Sequence, residues 1–180
     1  LEMHPSWEGL FLQATQAQGL AFAAADAALA DQAGRSFFNA HYHQPNDTWT
    51  DDRAIRAFWT EYYRIGLRAV GCPPAHLEPC AQALAEILDQ GTAWRAYDEA
   101  AAVLAALREA GYTIGICSDW GSSLPRILEA AGLRGLADFL VVSAIDGLAK
   151  PRPAFFQRAL QRAGVLPHQA LMVGDSLYGD

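Results

Sequence analysis

Three polar clusters in the second half of this 180-residue chain combine residue types suited to anionic oxygen and to a hard cation. Ser118 closes the apolar run Thr113-Ile114-Gly115-Ile116-Cys117, where its hydroxyl and the following backbone N–H can bind an anionic oxygen. Lys150, the only lysine in the chain, sits in Gly147-Leu148-Ala149-Lys150-Pro151-Arg152-Pro153. The prolines restrict that backbone, Pro153 suits the first turn of a helix, and the ammonium is a compact charge able to neutralise a phosphate and a carboxylate together. Asp175 and Asp180 lie in Val173-Gly174-Asp175-Ser176-Leu177-Tyr178-Gly179-Asp180 and offer the carboxylate oxygens that a hard divalent cation takes. Each cluster alone has a plainer reading: a serine after a strand often only turns the chain, Lys-Pro-x-Pro is a rigid turn, and an aspartate can cap a helix.

The elements that must position these groups follow from the hydrophobic rhythm. After about Gln90 it alternates: helix Asp98–Ala110, strand Tyr112–Cys117, helix Ser123–Ala131, strand Phe139–Val142, helix Pro153–Ala163, strand Ala170–Val173. The strands are short apolar runs without polar alternation, as expected for strands buried on both faces, and Gly111, Gly132 and Gly164 stand where left-handed residues end helices. Alternation of this kind predicts βαβ units and an α/β fold with a parallel sheet covered on both faces. Ligands of open parallel sheets collect beyond the carboxyl ends of the strands, where Ser118-Asp119, Ser143 to Lys150 and Gly174-Asp175-Ser176 fall.

The first half reads as helices. Ser6 is a candidate cap for a helix through Trp7, Leu10, Phe11 and Ala14. Asp51-Asp52 precede a second, with Ile55, Phe58, Trp59, Tyr62 and Tyr63 at helical spacing, and a third runs from His76 to Leu88 behind the break at Pro73-Pro74. Helix and loop are equal alternatives for Gly34 to Thr50.

The order Ser118, Lys150-Pro151-x-Pro153 and Gly174-Asp175…Asp180 resembles the second, third and fourth motifs of the haloacid dehalogenase-like (HAD) hydrolase superfamily. Ser122 to Arg126, Val142-Ser143 and Lys150-Pro151 are most similar to its phosphatase-like members with a helical cap. The resemblance implies a Rossmann-like three-layer core, residues 93–180, with an inserted α-helical cap, residues 1–92, truncated at both ends. It implies a magnesium-dependent phosphatase that forms an aspartyl-phosphate on a small phosphorylated metabolite. Ser118 and Lys150 would then be catalytic, Ser118, Asp119 and Lys150 would bind substrate, and Asp175 and Asp180 would serve Mg²⁺, Asp180 through water or through Lys150. Asp119 stands where many relatives carry Asn, and a carboxylate at that position counts against tight phosphate binding.

The family's Asp-x-Asp nucleophile motif occurs nowhere in this chain, so the nucleophile is expected upstream of Leu1. The fragment alone is expected to be inactive and, lacking the central strand, to be aggregation-prone through two unpaired edges. Alternatives on the same scaffold are a phosphonate hydrolase, a phosphomutase, or an inactive binding module; Gly174-Asp175 argues against a dehalogenase. Cap specificity residues are expected within His41 to Trp49.

Composition narrows the partners. Hydrophobic residues make up 52% and charged residues 18%, as in a folded globule. A net charge of −7 offers no basic field for nucleic acid or an acidic membrane, and no apolar run approaches the roughly 20 residues of a spanning helix. With no signal-peptide pattern, a cytoplasmic location is expected. Cys72, Cys80 and Cys117 match no zinc or redox spacing, and oligomeric state is not legible. Gly174-Asp175-Ser176-Leu177 also spells a lipase signature, but no Asp-x-x-His follows it. His41 and His43 are a metal pair only if a third ligand joins them, and the aromatic stripe from Phe58 to Tyr63 reads as packing.

Overall fold

A computed structural model of the chain describes residues 1–42, 47–176 and 179–180. It divides into two compact units: one joins the stretch from Glu2 to the end of the second helix with Arg56–Arg95, and the other joins Leu1, Asp47–Ile55 and Ala96–Asp180. The short segment Asp47–Ile55, flanked in sequence by helices of the first unit, belongs to the second.

The helical unit is built from α1 (Trp7–Ala17), α2 (Ala24–Tyr42), most of α3 (Asp52–Ala69) and α4 (Pro74–Ile87), with a small antiparallel ribbon of β1 (Glu2–Met3) and β2 (Trp94–Arg95). Ser6 caps α1 by accepting from the Gly9 N–H at 3.3 Å, and α4 starts at Pro74, where a missing N–H leaves no intrahelical bond unmade. The core contains Phe11, Ala27, Ala30, Leu67, Cys80, Ala81 and Leu84. Small residues allow close approach. A side chain on Gly66 would strike the backbone carbonyl of Ala30, and one on Gly34 would strike the Tyr62 ring. The ambiguous stretch after Gly34 is helix as far as Tyr42, and Thr48–Thr50 form a 3₁₀ turn.

In the α/β unit, α5 (Ala100–Glu109) leads to β3 (Gly115–Ser118), α6 (Leu124–Ala130), β4 (Phe139–Val142), the single turn α7 (Ser143–Asp146) and α8 (Pro153–Ala163). β3 and β4 are parallel, with Gly115 opposite Phe139 and Ser118 opposite Val142. Gly115 is required there, because a β-carbon would run into the Phe139 ring. Leu124, Leu128, Leu133 and Val142 form the core, and Phe155 of α8 is fully buried. Asp146 in α7 accepts from the Val142 N–H at 3.1 Å and pairs with Arg162 of α8 at 2.6 Å, tying helix to strand.

Two expected strands come out differently. The first is shorter, because Tyr112 is 65% exposed and only Gly115–Ser118 pair. Ala170–Val173 is not a strand: Leu171 is 89% and Val173 80% exposed. An extended apolar segment becomes a strand only with a neighbouring edge, and among the described residues none lies beside it. No helix among the described residues is long and apolar enough to cross a membrane.

Candidate active site

The loop leaving β3 carries Ser118, Asp119, Trp120, Gly121 and Ser122, and three tethers hold it. At Trp120 the backbone N–H donates to Ser143 Oγ at 2.9 Å, and the Ser143 hydroxyl donates back to the Trp120 carbonyl at 3.2 Å. Ser143 is completely buried, so both bonds form away from competing water. At Asp119 Oδ1 accepts from the Lys150 N–H at 3.0 Å, joining the β3 loop to the loop before α8. At Ser122 the backbone N–H and the hydroxyl both donate to the Asp52 carboxylate, at 2.7 and 2.5 Å.

The second oxygen of Asp119, Oδ2, is buried with no partner among the described residues. Burial pushes this carboxyl above the usual carboxylate range; the Lys150 N–H and ammonium pull it down, and the charge of Asp180 pushes it up.

Lys150 and Asp180 form the central ion pair. Nζ donates to Asp180 Oδ1 at 2.5 Å, and the side chains are 13% and 9% exposed. The chain from Gly174 wraps that carboxylate: the Ser176 N–H donates to Oδ2 at 3.0 Å, and Asp175 contributes a backbone N–H. A β-carbon on Gly174 would overlap the Asp180 carboxylate, which is the steric reason for glycine at this point of the motif. Burial pushes Asp180 up, but the Lys150 bond and these backbone donors outweigh it and hold the carboxyl below its ordinary range.

Asp119, Lys150 and Asp180 are thus connected by direct hydrogen bonds, with Ser118 at the end of β3 one residue before Asp119. Asp175 is exposed and meets this group through its backbone N–H. Its carboxylate, a hard oxygen donor, fits a divalent cation, whereas Asp180 is already engaged by Lys150. Among the described residues no group of three His, Cys, Asp or Glu side chains converges. Leu177 and Tyr178 lie outside the described residues.

Sequence reasoning missed Ser143, Asp52 and Ser122 as supports of the loop. Asp51-Asp52 is noticeable as an acidic helix start, but Asp51 alone serves the helix end, accepting from the Ala54 N–H at 2.9 Å. In the stretch expected to hold cap specificity residues, His41 packs on the Phe37 and Phe58 rings. Asp47 to Trp49 lie in the α/β unit, and residues 43–46, including His43 of the possible metal pair, lie outside the described residues.

A parallel strand pair flanked by helices, with a serine at the end of one strand and a lysine–aspartate pair beyond it, defines an α/β core with a polar site at the carboxyl ends of its strands. Residues 2–180 match the haloacid dehalogenase-like hydrolase family, and the chain belongs to it. Haloacid dehalogenase-like hydrolase domain-containing protein 3 of Mus musculus is 33% identical over 152 residues, covering 83% of this chain and 61% of that protein. The chain thus spans about three fifths of that relative's length. Glyceraldehyde 3-phosphate phosphatase of Pyrococcus abyssi is 40% identical over 81 residues, covering 43% of this chain and 33% of the relative. Among solved structures, a HAD phosphatase from Thermococcus onnurineus covers 97% of this chain and 69% of its own at 20% identity and TM-score 0.56. A dehalogenase structure covers 93% and 70% at 22% identity and TM-score 0.59. At those identities the two structures establish the shared α/β fold.

Proposed function

We propose that the chain is the greater part of a magnesium-dependent phosphatase that hydrolyses a small phosphorylated metabolite through an aspartyl-phosphate, with the nucleophilic aspartate supplied upstream of Leu1. The observation that carries this reading is the hydrogen-bonded line Asp119–Lys150–Asp180 beyond the ends of β3 and β4. It presents one ammonium, fixed in place and partly shielded from water, where an anionic group would dock. A phosphatase-named relative at 40% identity over 81 residues supports phosphoryl chemistry.

In this reading Ser118 donates its hydroxyl to a phosphoryl oxygen, and Lys150, oriented by Asp180, offsets charge as it builds on the transferring group. Asp175 would hold Mg²⁺, with Asp180 supporting it through water or through Lys150, and the ion would supply charge neutralisation between an anionic carboxylate and an anionic phosphate. The helical unit serves as a cap that selects substrate. The cytoplasm suits such a substrate, and the three free cysteines accord with a reducing compartment.

The test is hydrolysis of p-nitrophenyl phosphate by the protein with its upstream nucleophile motif in place. Activity requiring Mg²⁺ and falling at least about 100-fold in Asp175→Ala is expected. Full activity in EDTA, or an undiminished Asp175→Ala variant, defeats the assignment.

A further inference from the structure

We propose that Asp52 is a positioning residue of this site: by gripping Ser122 it fixes the Ser118–Ser122 loop in the orientation that receives a phosphoryl group. The inference rests on the phosphatase reading and adds a residue to it.

Asp52 opens α3, yet its carboxylate does not cap the helix; Asp51 does that. Both Asp52 oxygens go instead to one residue 70 positions away, taking the Ser122 N–H and hydroxyl. A two-point grip fixes the direction of a loop as well as its distance. The segment around Asp52 reaches the other half of the site too. Asp47 pairs with Arg152, two residues after Lys150, at 2.7 Å, and Trp49, between Asp47 and Asp52 in sequence, is buried in a turn that packs against α7. The strip from Asp47 to Asp52 therefore holds the loop of Ser118 at one end and the loop of Lys150 at the other.

Asp52 and Ser122 are both exposed. Exposed polar pairs contribute little to folding, since water replaces each bond when it breaks. The bonds do constrain a loop whose donors must meet a phosphoryl oxygen, and a displacement of about 1 Å in such a loop is felt strongly in binding and rate. Removing the grip should accordingly spare the fold and weaken the site.

The experiment uses the protein with its upstream motif, with p-nitrophenyl phosphate as substrate and inorganic phosphate as competitive inhibitor. In Asp52→Ala, KM and the phosphate inhibition constant should each rise roughly ten-fold with kcat changed less than about three-fold, and Tm should stay within about 2 °C. Asp52→Asn, which keeps an acceptor oxygen, should recover most of the affinity. Ser122→Ala, which keeps the N–H bond, should fall between, and the double variant should be no worse than Asp52→Ala, because both substitutions cut one interaction. Unchanged KM and phosphate inhibition in Asp52→Ala and Ser122→Ala overturn the positioning role and leave the phosphatase reading standing. A wild type without Mg²⁺-dependent hydrolysis overturns that reading, and this inference falls with it. Should Asp52→Ala not fold, Ser122→Ala and Asp52→Asn decide the question alone.

Discussion

Asp119 and Asp180 flank the same lysine and are shifted in opposite directions, so acid acts on them with opposite sign. Asp180 is held below the usual carboxylate range, so its stabilising contribution is present at neutral pH and is lost as pH falls through that lowered value. Asp119 is raised, chiefly by burial, so the folded state favours its protonated form and loses stability as pH rises through the raised value. Asp119→Asn keeps an oxygen for the Lys150 N–H and removes the titration. We expect it to melt higher than wild type at pH 7 to 8. The advantage should shrink as pH drops through the raised carboxyl value and vanish below about pH 4, where wild type is itself protonated. Thermal unfolding across that range checks it, and an equal advantage at every pH refutes the electrostatic cause. Lys150 and Asp180, which the structure pairs, stand out in the sequence because their motifs are local. Ser143, Asp52 and Ser122 were not: their bonds span 23 and 70 residues, and an isolated serine or aspartate carries no pattern that foretells a distant partner.

Elements long enough to show a period were readable, and shorter ones were not. α8 and β4 follow from Pro153 to Ala163 and from Phe139 to Val142, whereas α7 is a single turn, too short for any periodicity. Yet α7 carries the joint of this region. Asp146 receives the Val142 N–H, pairs with Arg162 at 2.6 Å and Arg158 at 3.8 Å, and its side chain is 3% exposed. Asp146→Ala removes a charged acceptor from several donors at once and should destabilise the protein by about 2–3 kcal/mol, read as a lower urea midpoint with unchanged slope. Asp146→Asn, which keeps an acceptor but not the charge, should lose less. The loop bearing Lys150 joins α7 to α8, so both variants should also weaken phosphate inhibition. A stable Asp146→Ala variant means the joint lies in the packing of Phe155 alone.

At the scale of the whole chain, the sequence announced a helical half and an alternating α/β half, but it could not show which apolar runs would find neighbours. Burial is a property of the assembled fold, so Phe139–Val142 gains a ladder while the apolar Ala170–Val173 has no paired neighbour among the described residues, with Leu171 89% and Val173 80% exposed. Unpaired backbone beside exposed aliphatic side chains is a template for association. The 180-residue chain should therefore self-associate in a concentration-dependent way, and Leu171→Lys with Val173→Lys should suppress its light scattering, since charge on an open edge opposes pairing. In a longer protein that lays a strand against this segment the same two lysines would be buried at a cost, and the Tm should fall. Improved solubility in the 180-residue chain together with a lower Tm in the longer protein identifies the segment as a strand completed from outside it. Unchanged scattering in the 180-residue chain places its sticky surface elsewhere, for which the exposed Val103 and Leu107 of α5 are the next substitutions to make.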